Sequence, residues 1–288
     1  MLGKVNISEI KLLRRIALPI IRLFDFNFSM THPWVKGFRI RLNSFLHKGY
    51  WYFRRDRERQ TMNLFGELIG SGAHIVEVGG HIGYITAYFA ALCGRQGQVT
   101  VFEPGSNNLP YIRHNIARMA KNNDFADVKL FDSAVGPSSG QVAFFEDNLT
   151  GQNNSLVKNF KGLENNAKGA FVRTEVNIRT VNLVTLDEIM ADSAVDFIKI
   201  DVEGFELGVL QGMQAIVEKQ QPIIMVEVQD SEQEILQYFS SRAYKLYSED
   251  RSEVTRTDQM DGNLFCLHAE KHKSELLRSF GLGKEPNA

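Results

Sequence analysis

The stretch "VDFIKIDVEG", Val195 to Gly204, constrains the fold more than any other part of this chain. Phe197, Ile198, Ile200 and Val202 leave little room for a solvated face, so the run reads as a strand buried on both sides. Strands of that kind belong to parallel sheets covered by helices. The flanking sequence agrees. "AHIVEVGG" is a strand ending in glycines and "IGYITAYFAALCG" a helix that Gly94 terminates. "GQVTVFEP" is a strand stopped by Pro104, and "NNLPYIRHNIARMAKNN" is the next helix. "DVKLFDSAVG" reads as a third strand and "GQVAFFED" as a fourth, antiparallel one; "VNIRTVNL" resumes strand character, and Thr185 is an N-cap for "TLDEIMAD". "FELGVLQGMQAIVEKQ" reads as one helix, "QPIIMVEVQD" as the last buried strand, and "AYKLYSED…GNLFCLHAE" as an antiparallel pair at the sheet edge.

Strands alternating with helices imply a mostly parallel α/β sheet with both faces covered. Ligands in such sheets bind outside the carboxyl ends of the strands, where the strand order reverses. That rule sorts the polar residues. Glu77 and Gly79 close the first strand, Glu103 the second, Asp132 and Ser133 the third, Asp201 and Glu203 the long buried one, and Glu227 the last. A single Asp or Glu is most often a surface or capping carboxylate; this many at one rim are not.

The turn "GGHIG" after the first strand resembles a dinucleotide loop, but G-x-G-x-x-G would need glycine at position 78, where Val78 stands. The looser form E-x-G-x-x-x-G fits Glu77, Gly79 and Gly83. An acid there repels a pyrophosphate and suits a ligand carrying an ammonium group. S-adenosylmethionine is such a ligand, and its sulfur is cationic as well. Glu103 would accept hydrogen bonds from ribose hydroxyls of either this ligand or NAD, so it does not discriminate.

Four segments, "VEVGGHIGYITAYFA", "VTVFEPGSNNLPYIRHNI", "SAVGPSSGQVAFF" and "VDFIKIDVEGFELGVLQGM", together resemble the FkbM family of S-adenosylmethionine-dependent methyltransferases over about residues 70–230. The resemblance implies a Rossmann-like methyltransferase fold: a mostly parallel seven-stranded sheet with a C-terminal antiparallel hairpin, here with an N-terminal helical extension. It implies O-methylation of a hydroxyl on a sugar, glycolipid or natural product. It places Glu77, Gly79, Gly80, His81 and Gly83 around the methionine part of the cofactor and Glu103 on the ribose, with Pro104 shaping the turn. Asp132, Ser133 and Ala134 would lie along the adenine, and Asp201 would approach the methionine amino group or the substrate, with Glu203 and Glu227 beside it. The family usually has Asp at position 77 and Asn at 81; here they are Glu and His. His81 reads either as a donor that fixes the loop or as a base near the transferred methyl.

Methyl transfer demands alignment of the acceptor with the methyl carbon and a base for the hydroxyl proton. Glu203, Asp201 and Glu227 are the catalytic candidates, since converging carboxylates raise one another's pKa. A Mg2+ ion held by the same three is the less favoured alternative. Lys199 reads as a snorkelling or sheet-face residue. The polar loop from Asn148 to Ala170 and the segment from His47 to Gln60 are candidates for the substrate wall, with Tyr50, Trp51, Tyr52 and Phe53 stacking on a ring and Arg54, Arg55, Arg57 and Arg59 holding a phosphate.

Charge divides the chain into residues 1–60, a basic extension, and residues 61–288, the methyltransferase domain. Residues 1–59 hold 13 Lys and Arg against 4 Asp and Glu, while the remainder holds 20 against 30. The basic part reads as packing on the acidic domain or meeting an anionic partner. Ile10, Leu13, Ala17, Ile20 and Phe24 fall near one helical face, which fits a cap, a partner contact or a peripheral membrane contact; the apolar run is too short to span a bilayer, and Pro19 would interrupt the helix. The acidic domain excludes a nucleic-acid substrate. Two cysteines 173 positions apart and no secretory leader point to the cytoplasm, with its inner membrane face as the peripheral site. An NAD-dependent oxidoreductase or epimerase, or a non-catalytic S-adenosylmethionine-binding domain, are the competing readings.

Overall fold

The computed structural model describes residues 21, 23–147, 151–158 and 176–281. The amphipathic reading of Ile10, Leu13, Ala17 and Ile20 lies outside the described residues, as do residues 148–150 and 159–170 of the expected long loop. Phe24, from the same expected face, is exposed.

After helical residues 21 and 23 come a hairpin, β1 (Asn27–Thr31) and β2 (Arg39–Asn43), then α1 (Lys48–Phe53) and α2 (Arg59–Leu68). Then come β3 (His74–Val78), α3 (Tyr84–Cys93), β4 (Gln98–Phe102), α4 (Leu109–Met119) and β5 (Asp127–Phe131). β6 (Ala134–Val135), β7 (Gly140–Asp147) and β8 (Val176–Val184) follow, with α5 (Leu186–Ile189) and β9 (Phe197–Ile200). The chain continues through α6 (Glu206–Gln211), α7 (Gln214–Gln220), β10 (Ile223–Glu227) and α8 (Glu232–Ser240). It closes with β11 (Tyr244–Tyr247), β12 (Glu253–Val254), β13 (Asn263–His268) and α9 (Lys273–Phe280).

The main sheet has the order β12-β11-β13-β10-β9-β3-β4-β5. β10, β9, β3, β4 and β5 are parallel, and β13 pairs antiparallel with both β10 and β11. The expected C-terminal antiparallel pair is therefore present, but the sheet has eight strands rather than seven, because the two-residue β12 adds to the edge of β11. Most of the expected N-terminal helix lies outside the described residues. Among the described residues before position 60, the main feature is the β1–β2 hairpin, whose side chains pack into the core; Ile40 and Leu42 are fully buried.

Two further expectations change at breaks in the chain. "DVKLFDSAVG" is two strands: β5 stays in the main sheet, while β6 joins β8 and β7 in a separate three-stranded sheet. "FELGVLQGMQAIVEKQ" is two helices, parted at Gly212 and Met213, where the backbone of Gly212 abuts the Gly136 carbonyl so closely that no Cβ fits. Thr185 does cap α5, its Oγ1 accepting from Glu188 N at 3.1 Å, and Gly94 ends α3 at φ +64°.

Apolar side chains fill both faces of the sheet. On one, the rings of Phe65, Phe89, Phe197 and Phe265 interlock at centroid distances of 4.9–6.0 Å; such pairs add about 0.5–1.5 kcal/mol each beyond burial. On the other, Val76, Ile198 and Ile200 meet Val209, Leu210 and Ile235 from α6 and α8. Strand alternation thus puts Phe197 and Lys199 on one face and Ile198 and Ile200 on the other. A lysine consequently enters the first core.

Candidate functional site

The chain runs outward from β3 to β4 and β5, then returns to place β9 and β10 on the other side of β3. The reversal between β3 and β9 opens a cavity of about 300 Å3 at the carboxyl ends of the parallel strands, within the size range of small-molecule sites. Backbone bonds continue past the strands and fix its rim: Gly79 N donates to Phe102 O, Asp201 N to Val78 O, and Glu103 N to Phe131 O, each at 3.0 Å.

The turn after β3 forms one end. Gly79 has φ +89°, and a Cβ there would lie 1.9 Å from the Asp201 carbonyl oxygen. Only glycine permits the two strand ends to approach this closely. Gly80 and Gly83 close the turn against Val101 and Ile112, below the cavity rather than in its wall. His81 lies in the left-handed region at φ +47°; its N donates to Glu103 Oε2 at 2.6 Å, and its Nδ1 shares a hydrogen bond of 2.9 Å with the Tyr50 hydroxyl. Glu103 also accepts from Gly105 N at 2.8 Å and Asn108 Nδ2 at 3.2 Å. Burial nevertheless outweighs these donors and raises its pKa to about 7.

The other end is built on β9 and β10. Lys199 is 1 % exposed, and its Nζ donates to Asp201 Oδ2 at 3.0 Å and to Gly79 O at 3.2 Å. A snorkelling lysine would carry its ammonium to water; this one is clamped between the cofactor-type turn and an acid. Burial pushes the Asp201 carboxyl up, but the Lys199 charge and hydrogen bonds from Glu227 and Lys199 prevail and hold it below the ordinary value. Glu227 is the counterpart: the Asp201 charge, burial and the hydrogen bond it donates to Asp201 keep it protonated. Glu203 sits at φ +56°, its Oε2 accepting from Gln229 Nε2 at 2.9 Å, and burial followed by the Asp201 charge raises its pKa to about 8. Three neighbouring carboxylates therefore hold three different protonation tendencies.

Two expected site acids stand apart. Glu77 is not at the rim: it points from β3 to Thr86 of α3, whose Oγ1 donates to it at 2.6 Å, beside Lys199 in the strand register. It is fully buried, and burial lifts its pKa to about 7. Asp132 turns outward to an exposed ion pair with Arg113 at 3.0 Å, whereas Ser133 and Ala134 line the cavity with Pro104. A strand end locates a residue along the sheet, but the break between β5 and β6 decides which way its side chain turns.

The expected substrate walls are partly in place. Gly151 to Asn154 and Leu156 line the cavity, anchored by Asn108 Nδ2 to Gly151 O at 2.9 Å and by Ser155 Oγ to Glu203 O at 2.6 Å. Of the aromatic run, only Tyr50 lines it; Trp51 donates from Nε1 to Ser44 O, and Tyr52 and Phe53 are exposed. Among the described residues no group of three His, Cys, Asp or Glu is arranged to hold a metal ion, and no helix is long and apolar enough to cross a membrane. Sequence reasoning missed Asn108 and the role of Lys199. The signal for the second was a charge inside an otherwise apolar strand.

The fold and the cavity define a methyltransferase-like α/β protein with a large mixed sheet. Residues 72–246 match the Methyltransferase FkbM domain, more than half of the chain, and the protein belongs to that methyltransferase family. No curated protein sequence matches it. Among solved structures, it is similar to the methyltransferase FkbM of Methylobacillus flagellatus KT, at 19 % identity and TM-score 0.46, covering 68 % of this chain and 44 % of that one. The chain thus spans less than half the length of that protein. It is also similar to an rRNA methylase from Streptococcus thermophilus (10 % identity, TM-score 0.39, 72 % and 93 % covered) and to a SAM-dependent methyltransferase from Aquifex aeolicus (12 %, 0.41, 77 % and 96 %).

Proposed function

We propose that this protein transfers the methyl group of S-adenosylmethionine to a hydroxyl of a sugar, glycolipid or natural-product acceptor. The observation that carries the reading is the junction of Gly79, Lys199 and Asp201, where the glycine turn and an ionised carboxylate meet inside an acid-rich cavity. Five acids, Glu58, Glu103, Asp201, Glu203 and Glu227, line it against two cations, Arg57 and Lys199. Glu58 and Asp201 pair with these cations, and a cationic ligand would favour ionisation of the raised Glu103 and Glu203 carboxyls, whereas a pyrophosphate would oppose it. Phe102, Ala134 and Val135 supply an apolar slot for a base at the Glu103 side. When bound, the cofactor supplies an electrophilic methyl group on a sulfonium.

The chain's own groups divide the remaining work. Glu103 accepts from ribose hydroxyls with the lone pairs its backbone donors leave, and Asp201 receives the ammonium of the methionine part. Glu203, in its ionised form, takes the acceptor's hydroxyl proton, with Gln229 orienting one of its oxygens; its raised carboxyl ionises more readily than that of Glu227. Glu227, already protonated, holds Asp201 by a hydrogen bond and does not serve as base. Two buried free cysteines, Cys93 and Cys266, fit a reducing, cytoplasmic setting.

Calorimetry with S-adenosylmethionine and with NAD, followed by an acceptor screen with labelled cofactor that includes lipid-linked sugars, tests this reading. Binding of S-adenosylmethionine alone and label transfer to a hydroxyl are expected. Binding of NAD without S-adenosylmethionine would sink it.

A further inference from the structure

Four arginines crowd the segment from Arg54 to the first residue of α2, and the structure sends them in different directions. Arg55 donates to Pro33 O at 2.8 Å and lies over the Trp34 ring, and Arg59 pairs with exposed Asp56. Arg54 does not reach the cavity; Arg57 does. Its guanidinium carbon stands 4.5 Å from the centre of the Tyr50 ring, and its Nε lies 3.0 Å from Glu58 Oε1. Its two Nη groups donate to no described residue. A planar fork that has an ion-pair and a ring contact but no hydrogen bond to a described residue, its Nε buried without one, is built to take an anion.

The position of that fork narrows the choice of anion. Tyr50, which Arg57 covers, holds His81 of the glycine turn through its hydroxyl and packs on Tyr84 at 4.6 Å. Tyr84 is the first residue of the ten-residue α3, whose N-terminal N–H groups also favour negative charge. Asp201 lies close enough for its charge to act on Arg57, and it abuts Gly79 in the same turn. A positive group and a negative group thus face the cavity beside one turn, matching a zwitterion.

We propose that Arg57 binds the α-carboxylate of the methionine part of S-adenosylmethionine while Asp201 faces its ammonium, so that the N-terminal segment completes the cofactor site. The inference rests on the S-adenosylmethionine reading above. It gives the basic segment a role inside the site, where charge counting alone left it on the surface.

The test compares calorimetric affinities for S-adenosylmethionine and for decarboxylated S-adenosylmethionine, which keeps the sulfonium and ammonium but lacks the carboxylate. The full chain is measured as wild type, Arg57→Met and Arg57→Lys. Arg57→Met is expected to weaken S-adenosylmethionine by roughly 10- to 100-fold and the decarboxylated ligand by less than about threefold. Arg57→Lys falls between, since it keeps the charge and loses the fork. The ratio of the two affinities in one preparation does not depend on the fraction folded, so a destabilised variant still gives an answer. Equal losses for both ligands, or unchanged affinity for S-adenosylmethionine, overturn the proposal. So does a variant that binds both ligands normally but no longer binds inorganic phosphate, which would assign Arg57 to an anionic acceptor group. Failure of the wild type to bind S-adenosylmethionine would sink the cofactor reading itself, and the inference with it.

Discussion

The two ends of the cavity both rely on a glutamate, Glu103 buried and Glu203 half-buried, yet they use them differently. At the glycine-turn end, Glu103 is surrounded by donors: two backbone N–H groups and the Asn108 amide fix both of its oxygens. At the β9–β10 end, Glu203 has one side-chain donor, Gln229, and a neighbouring negative charge on Asp201. The first arrangement builds a fixed acceptor for ligand hydroxyls. The second leaves a carboxyl with a single orienting donor, so its other oxygen is available to an acceptor hydroxyl. Residue type is the same, and the number of donors and the sign of the neighbouring charge set the difference.

The sharpest way to break this comparison is to remove the charge at Glu203 alone. Glu203→Gln is expected to lower turnover of the acceptor found in the screen by about 10²–10⁴-fold. Cofactor affinity, measured by calorimetry, should change little. Equal loss of cofactor affinity would place Glu203 in binding instead and erase the contrast with Glu103.

Lys199 joins the two ends, so its loss should be felt in stability. Lys199→Met leaves buried Glu77 and half-buried Asp201 without their cation; removing one partner of a fully buried pair costs about 3–5 kcal/mol, and solvent access to Asp201 lowers that cost here. Urea unfolding should show that loss, and Asp201→Asn added to Lys199→Met should recover part of it. A fully additive double variant would mean that the two groups are not coupled.

The smallest expected effect is on the pH dependence of the ligand-free protein. Glu103 and Glu203 have folded values of about 7 and about 8 against an ordinary 4.5. Their contribution to stability is full below the ordinary value and is lost as pH rises through the folded values. His32 and His47, depressed to about 4 and about 2 by burial, act in the opposite sense only below their ordinary 6.5. Between about pH 6.5 and pH 8.5 the carboxyls therefore dominate, and the melting temperature should fall. S-adenosylmethionine, by meeting the newly ionised acids with a cation, should flatten that slope. A flat ligand-free profile would remove the raised carboxyls from the account.

Much of this was legible in the sequence, and particular residues show why. The run from Phe197 to Ile200, apolar but for Lys199, has no solvated face, so a buried parallel strand was dictated locally. Val78, where the dinucleotide fingerprint needs glycine, spoke against a dinucleotide loop by composition, whereas Glu77 faces Thr86 and not the cavity; the glycine at position 79 is required by the backbone it touches. Period and residue chemistry along the chain suffice for such conclusions.

What only the tertiary structure decided depends on contacts between distant segments. Asp132 and Asp201 both follow strands, but one turns out to Arg113 and the other in to Lys199. Asp201, Glu203 and Glu227 look alike in sequence, and their protonation states diverge because one ammonium and one shared hydrogen bond reach only some of them. Arg57 belongs to the cavity because α1 and the turn after it fold back over the glycine loop, some twenty residues away in the chain. Electrostatic energy depends on separation and burial in space, and neither is encoded by local periodicity.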